Sequence, residues 1–128
     1  MAKRNAYVAV VDDDESVGRA IKRLLRSFGI DADTYLSGEA FLDTLASQQG
    51  RRPDCVILDI QMPGMNGLDV LERLDGSGIP VIFVTAHDDE DTRQKALTSS
   101  AVGYLCKPFD DSVLFSMVQA ALGKTSGP

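Results

Sequence analysis

Apolar positions fall in five short runs, at residues 6–11, 30–35, 55–60, 81–84 and 102–106. The first, third and fourth are nearly unbroken and rich in Val and Ile. Such runs suit parallel strands buried on both faces. Between them the apolar spacing becomes helical. Val17, Ala20, Ile21, Leu24, Leu25 and Phe28 form one stripe, with Gly29 placed for a C-cap. Ser37 is placed to cap a second helix that turns Phe41 and Leu45 inward. Leu68, Leu71 and Leu74 mark a shorter third helix. Residues 88–99 make a weaker fourth, with an acidic first turn (Asp88, Asp89, Glu90, Asp91) and few apolar anchors beyond Ala96 and Leu97. Asp110 or Asp111 can cap a last helix carrying Leu114, Met117, Val118 and Ala121. Strand and helix alternate five times, which predicts a doubly wound α/β sheet with right-handed crossovers.

The chain has 128 residues, the size of one domain. Residues 1–122 are expected to form it, with 123–128 as a disordered tail or the start of a linker. The net charge of -6 argues against a surface that grips phosphate backbones. Cys55 and Cys106 lie in apolar runs and suit buried thiols in a reducing compartment. There is no membrane-length apolar run and no signal-peptide pattern near the start, so the cytoplasm is the expected location.

In open α/β sheets a ligand sits at the carboxyl ends of the strands. Here those ends carry Asp12-Asp13-Asp14-Glu15, then Asp59, then Thr85-Ala86, then Lys107-Pro108. The second run ends in Tyr35-Leu36-Ser37, without ionisable chemistry. Two carboxylates ~4 Å apart repel by roughly 4 kcal/mol at an effective dielectric near 20. Asp12, Asp13 and Asp59 in one cleft therefore call for a hard divalent cation such as Mg²⁺, and Lys107 adds a positive charge from the opposite side. A carboxylate nucleophile can form an aspartyl phosphate. Asp59 is the best candidate, because it ends the most apolar strand and is followed by the Met62-Pro63-Gly64 turn. Asp14 and Glu15 suit a helix cap better than a ligand.

These residues resemble the receiver domains of two-component response regulators. The motifs are Val10-Val11-Asp12-Asp13-Asp14, the stretch from Val56 through Asp59 to Gly67, then Val81 to Ala86, and Tyr104 to Phe109. The match runs from about Tyr7 to Leu122. The wording around Thr85-Ala86-His87 and Lys107-Pro108-Phe109 looks most like receivers of the nitrogen-fixation regulator and LuxR-type subgroup.

The resemblance implies a flavodoxin-like (βα)5 fold with strand order 2-1-3-4-5. It implies phosphorylation of Asp59 by a histidine kinase or histidine phosphotransfer protein. Mg²⁺ would be held by Asp13, Asp59 and the Gln61 carbonyl, with Asp12 acting partly through water. Thr85, Ala86 and Lys107 would bind the phosphoryl group, Thr85 and Tyr104 would form the switch, and the Lys107–Pro108 bond would be cis. The domain would be a signalling phosphoacceptor that at most catalyses its own phosphorylation and dephosphorylation. Gln61 and His87 would tune its lifetime.

The fourth helix, fifth strand and fifth helix would offer a partner or homodimer surface, to which Val113 and Phe115 belong unless they are core edge. A basic stripe on the first helix (Arg19, Lys22, Arg23, Arg26) is either a solvated face or a docking face for an acidic kinase surface. One departure is Ser99-Ser100 where the family often has Ala-Gly, which leaves the fourth helix without its usual stop.

Three rivals fit less well. A haloacid-dehalogenase-type hydrolase needs Asp-x-Asp, but Asp59 is followed by Ile60-Gln61. A flavodoxin-like cofactor binder needs a Ser/Thr/Gly loop where this chain has three aspartates. A degenerate receiver would lack part of the acidic set. The domain itself is not expected to bind nucleic acid or membrane. With no output domain after Leu122, it is either a stand-alone receiver or a fragment.

Overall fold

The computed structural model describes residues 5–47, 51–86 and 89–126. Strands and helices alternate throughout: β1 (Tyr7–Val11), α1 (Glu15–Ser27), β2 (Asp31–Tyr35), α2 (Gly38–Ser47), β3 (Cys55–Asp59), α3 (Gly67–Arg73), β4 (Val81–Thr85), α4 (Glu90–Leu97), β5 (Gly103–Cys106) and α5 (Asp111–Ser126). The five strands form one parallel sheet in the order β2-β1-β3-β4-β5. This is the flavodoxin-like, doubly wound arrangement expected from the sequence. β1, β3 and β4 occupy the centre and are buried at every position. Their unbroken Val/Ile runs follow from having helices on both faces.

Successive strand residues point to opposite faces, so the core divides into two layers. Val8, Val10, Ile57, Ile82 and Val84 pack with Leu25 of α1 and with Leu114 and Val118 of α5. Ala9, Val11, Leu58, Val81 and Phe83 pack with Phe41 of α2, Val70 of α3 and Ala96 of α4. The chain steps from β1 outward to β2, then returns to the far side of β1 as β3. The carboxyl ends of β1 and β3 therefore stand side by side at the switch point, where a crevice forms.

Helix ends follow local chemistry. Gly29 takes φ 77° and closes α1. Its N–H donates to Arg26 O, and Ile30 N–H donates to Leu25 O, both at 3.0 Å. Those two bonds make a Schellman cap, with Ile30 and Leu25 in the same apolar layer. Ser37 Oγ accepts from Ala40 N at 3.0 Å and caps α2. Asp110 Oδ1 accepts from Ser112 N at 3.0 Å at the start of α5. The missing glycine after α4 is replaced by hydroxyls. Ser99 Oγ donates to Ala96 O at 2.6 Å, and Thr98 Oγ1 donates to Gln94 O at 2.8 Å.

Four expectations need correction. Ala20 faces solvent, on the flank of the α1 stripe. Phe28 is 47% exposed. It is the C-cap residue of α1, where the chain turns outward, and its ring stacks on Phe115 of α5 at 3.8 Å between centroids. Leu97 is exposed on α4, which anchors itself through Ala96 and Thr92 instead. Lastly, α5 continues through Gly123 to Ser126, into the stretch assigned to a tail. A single glycine costs a helix only about 1 kcal/mol relative to Ala and does not end it. Phe115 packs against the core layer, whereas Val113 is exposed. His87, Asp88, Gly127 and Pro128 lie outside the described residues.

Candidate functional site

Asp12 follows β1 directly. Its N–H donates to Tyr35 O at 3.0 Å, continuing the sheet ladder by one bond. That bond holds the side chain at the sheet edge, where it is only 4% exposed. One carboxylate oxygen, Oδ1, accepts from Asp14 N at 2.9 Å. The other, Oδ2, accepts from Lys107 Nζ at 2.7 Å. Asp13 points to solvent above it. Asp14 turns away and caps α1, accepting from Ser16 N, Ser16 Oγ and Val17 N. The Ser16 hydroxyl and N–H hold its carboxyl below the usual range.

Asp59 is the last residue of β3 and is 5% exposed. Its Oδ1 accepts from Gln61 N at 3.3 Å, while Oδ2 lies 3.6 Å from Lys107 Nζ. The loop after it is locked from the far end. Gly67 N–H donates to Ile60 O at 2.9 Å, and Asn66 and Asp69 form a reciprocal capping box on α3. A Cβ on Gly67 would stand 2.4 Å from Asp59 O and 2.8 Å from Ile60 Cα. Glycine is therefore required for α3 to start so close to Asp59.

Thr85 ends β4 and is fully buried. Its carbonyl accepts from Lys107 N at 2.7 Å, and this bond fixes where the lysine leaves β5. Ala86 follows it and is exposed. The Lys107–Pro108 bond is cis. Tyr104 pairs in register with Phe83 and packs, half-buried, in the layer of α2, α3 and α4. By strand alternation Thr85 faces the same layer. Gln61 is exposed, with its backbone N–H turned to Asp59.

Asp12, Asp13 and Asp59 each offer an oxygen, and these three atoms lie within 4.8 Å of one another. Among the described residues this is the one group of three or more potential metal ligands brought together in this way. Three carboxylates face a single ammonium, so the cluster retains an excess of about two negative charges when ionised. The electrostatic cost falls on Asp59. Burial, then the charge of Asp12, pushes its carboxyl up from 3.8 to about 6, against the pull of Lys107 and the Gln61 N–H. Burial pulls Lys107 down, but its hydrogen bond to Asp12 and the charges of Asp59 and Asp12 outweigh that and leave it raised. An all-oxygen, acidic donor set at a half-open edge suits a hard divalent cation.

The structure thus brings together Asp12, Asp13, Asp59, Thr85, Ala86 and Lys107 at one sheet edge. It also supplies two features absent from the sequence reading. Lys107 is bonded to Asp12, 95 positions away, more closely than to Asp59. Gly67 also belongs to the site, through its contact with Asp59. The motif ending in Asn66-Gly67 was visible in the sequence, but nothing there marked the close approach.

Comparison with known proteins identifies the family. The model of the response regulator receiver domain matches residues 8–119. Response regulator protein TodT of Pseudomonas putida is 38% identical over 95% of this chain and 53% of its own length. Transcriptional regulatory protein FixJ of Azorhizobium caulinodans is 35% identical over 93% of this chain and 56% of its own. The chain spans about half the length of these curated relatives. A crystal structure of a response regulator receiver protein from Burkholderia phymatum is 59% identical, with a TM-score of 0.85, covering 93% of this chain and 96% of that one. The chain belongs to the receiver domain family of two-component response regulators.

Proposed function

We propose that Asp59 accepts a phosphoryl group from the phosphohistidine of a histidine kinase or phosphotransfer protein. The bond from phosphorus to the donor imidazole breaks as the bond to Asp59 Oδ forms. Most of the weight rests on one observation: Asp12, Asp13 and Asp59 share an edge with a single lysine. Such a cluster is short of positive charge until a cation and a phosphoryl group arrive.

Asp13, Asp59 and the Gln61 carbonyl would hold Mg²⁺, with Asp12 acting partly through water. Bound there, the ion supplies charge neutralisation for the phosphoryl oxygens. Asp59 is the nucleophile, fixed by its strand end and by the Gln61 N–H. Lys107 exchanges its bond to Asp12 for one to a phosphoryl oxygen, while the Thr85 hydroxyl and Ala86 N–H receive another. Movement of Thr85 then changes the space beside Tyr104. The surface of α4, β5 and α5 repacks for a partner or a second copy. The domain is a signalling phosphoacceptor of the cytoplasm, whose only catalysis is on itself: phosphorylation from small donors and dephosphorylation. No helix among the described residues is long and apolar enough to cross a membrane.

Incubation with Mg²⁺ and acetyl phosphate, followed by intact mass measurement, tests this. One phosphoryl adduct is expected on the wild type and none on Asp59→Asn. An unlabelled wild type, or equal labelling of the variant, would overturn the assignment.

A further inference from the structure

A second concave site lies away from the acidic edge. It is a cavity of about 450 Å³ between α2 and the sheet. Tyr7, Pro53 and Ile79 line it from at or before the starts of β1, β3 and β4, whereas Asp59 ends β3. The volume falls within the range of small-molecule pockets, which are mostly apolar with a few placed polar groups.

Two properties of the lining define a ligand class. First, its walls are aromatic and pre-set. Phe41 is 2% exposed, and its ring meets Tyr35 edge-on at 5.4 Å between centroids. Tyr7 is held from behind, since its hydroxyl donates to Asp33 Oδ2 at 2.9 Å. Second, the lining contains two arginines and no carboxylate, in a chain of net charge -6. Arg51 is already committed: it pairs with Asp31 at 3.1 Å and lies over the Tyr7 ring. Arg52 differs. It is exposed, donates to the neutral Ser77 carbonyl, and pairs with no carboxylate among the described residues. Arg52 also borders a neighbouring cavity that holds Asp54 and Asp75, without an ion pair to either among the described residues, and a carboxylate is the natural bidentate complement of its guanidinium.

We infer that this cavity binds a small aromatic monocarboxylate, with its ring against Tyr35 and Leu45 and its carboxylate on Arg52. Such a ligand would give the domain a chemical input separate from the phosphoacceptor edge.

The test is a ¹⁵N–¹H NMR titration of the protein with 2-naphthoate, and in parallel with the neutral 2-naphthamide. Saturable shifts are expected for residues around Tyr7, Phe41 and Leu45, with a Kd on the order of 1 mM or tighter for a ligand of this size. The amide should bind about tenfold more weakly, because it loses a charge-assisted bond. Arg52→Gln should weaken naphthoate by the same factor and leave the amide unchanged. The variant's own spectrum reports its fold. Shifts that do not saturate or fall elsewhere, equal binding of acid and amide, or unaltered naphthoate binding by Arg52→Gln would each overturn the assignment.

Discussion

Replacing Asp59 with Asn should make the metal-free protein more stable at neutral pH. Asp59 is 5% exposed and stands beside Asp12, and together these push its carboxyl from 3.8 to about 6 in the folded state. In the unfolded chain it keeps its ordinary value. Between the two values the folded state holds a proton that the unfolded state has released. Stability therefore falls as pH rises from about 4 to about 6 and stays reduced above that. The displacement corresponds to roughly 3 kcal/mol, a sizeable share of the total of about 10 kcal/mol usual for a domain of this size. Asn has nearly the same shape, keeps an oxygen for the Gln61 N–H, and carries no charge. Its loss is the 3.6 Å contact with Lys107, whose favourable pull is already included in the displaced value.

Urea unfolding with a chelator present measures the effect. Asp59→Asn should gain roughly 2–3 kcal/mol at about pH 7.5 with an unchanged m-value, and the gain should vanish near pH 4. Taking the difference between wild type and variant cancels other carboxylates that titrate in the same window. A variant no more stable than wild type at neutral pH, or a gain that persists at pH 4, would refute the reasoning.

Mg²⁺ should raise the melting temperature of the wild type in proportion to ln(1 + [Mg²⁺]/Kd); Asp13→Asn and Asp59→Asn should each blunt that rise in a thermal scan. Gly67→Ala should destabilise by about 1–3 kcal/mol and slow acetyl phosphate labelling, because its Cβ meets the backbone of Asp59 and Ile60, which cannot rotate away. Helix propensity alone would give the opposite sign, by about 1 kcal/mol, so a urea midpoint above wild type would discard the contact argument. Lys107→Met should cost about 2–4 kcal/mol at neutral pH, since it strands the buried Asp12 carboxylate, and should abolish labelling in the mass assay.

Much of the site was legible in the sequence because its signals are local. The apolar runs before Asp12, Asp59, Thr85 and Lys107 marked strands, and the doubly wound topology placed their ends on one edge. Gly29 and Ser37 announced helix ends through bonds to neighbours a few residues away. Periodicity failed where a residue's surroundings come from distant chain. Phe28 kept the spacing of a core residue, yet its ring stacks near the surface on Phe115, 87 positions later.

The sequence by itself determined the alternation of strand and helix, the burial of the central strands, and which ionisable and hydroxyl residues stand at the strand ends. The tertiary structure alone decided how those residues meet. It put Lys107 at 2.7 Å from Asp12 and 3.6 Å from Asp59. It buried Asp59 enough to raise its carboxyl to about 6, and it brought Gly67 against Asp59 O. The reason is physical. Secondary structure follows from patterns a few residues long, whereas Coulomb energy and desolvation depend on distances and burial that exist only after β1, β3 and β5 have assembled into one sheet.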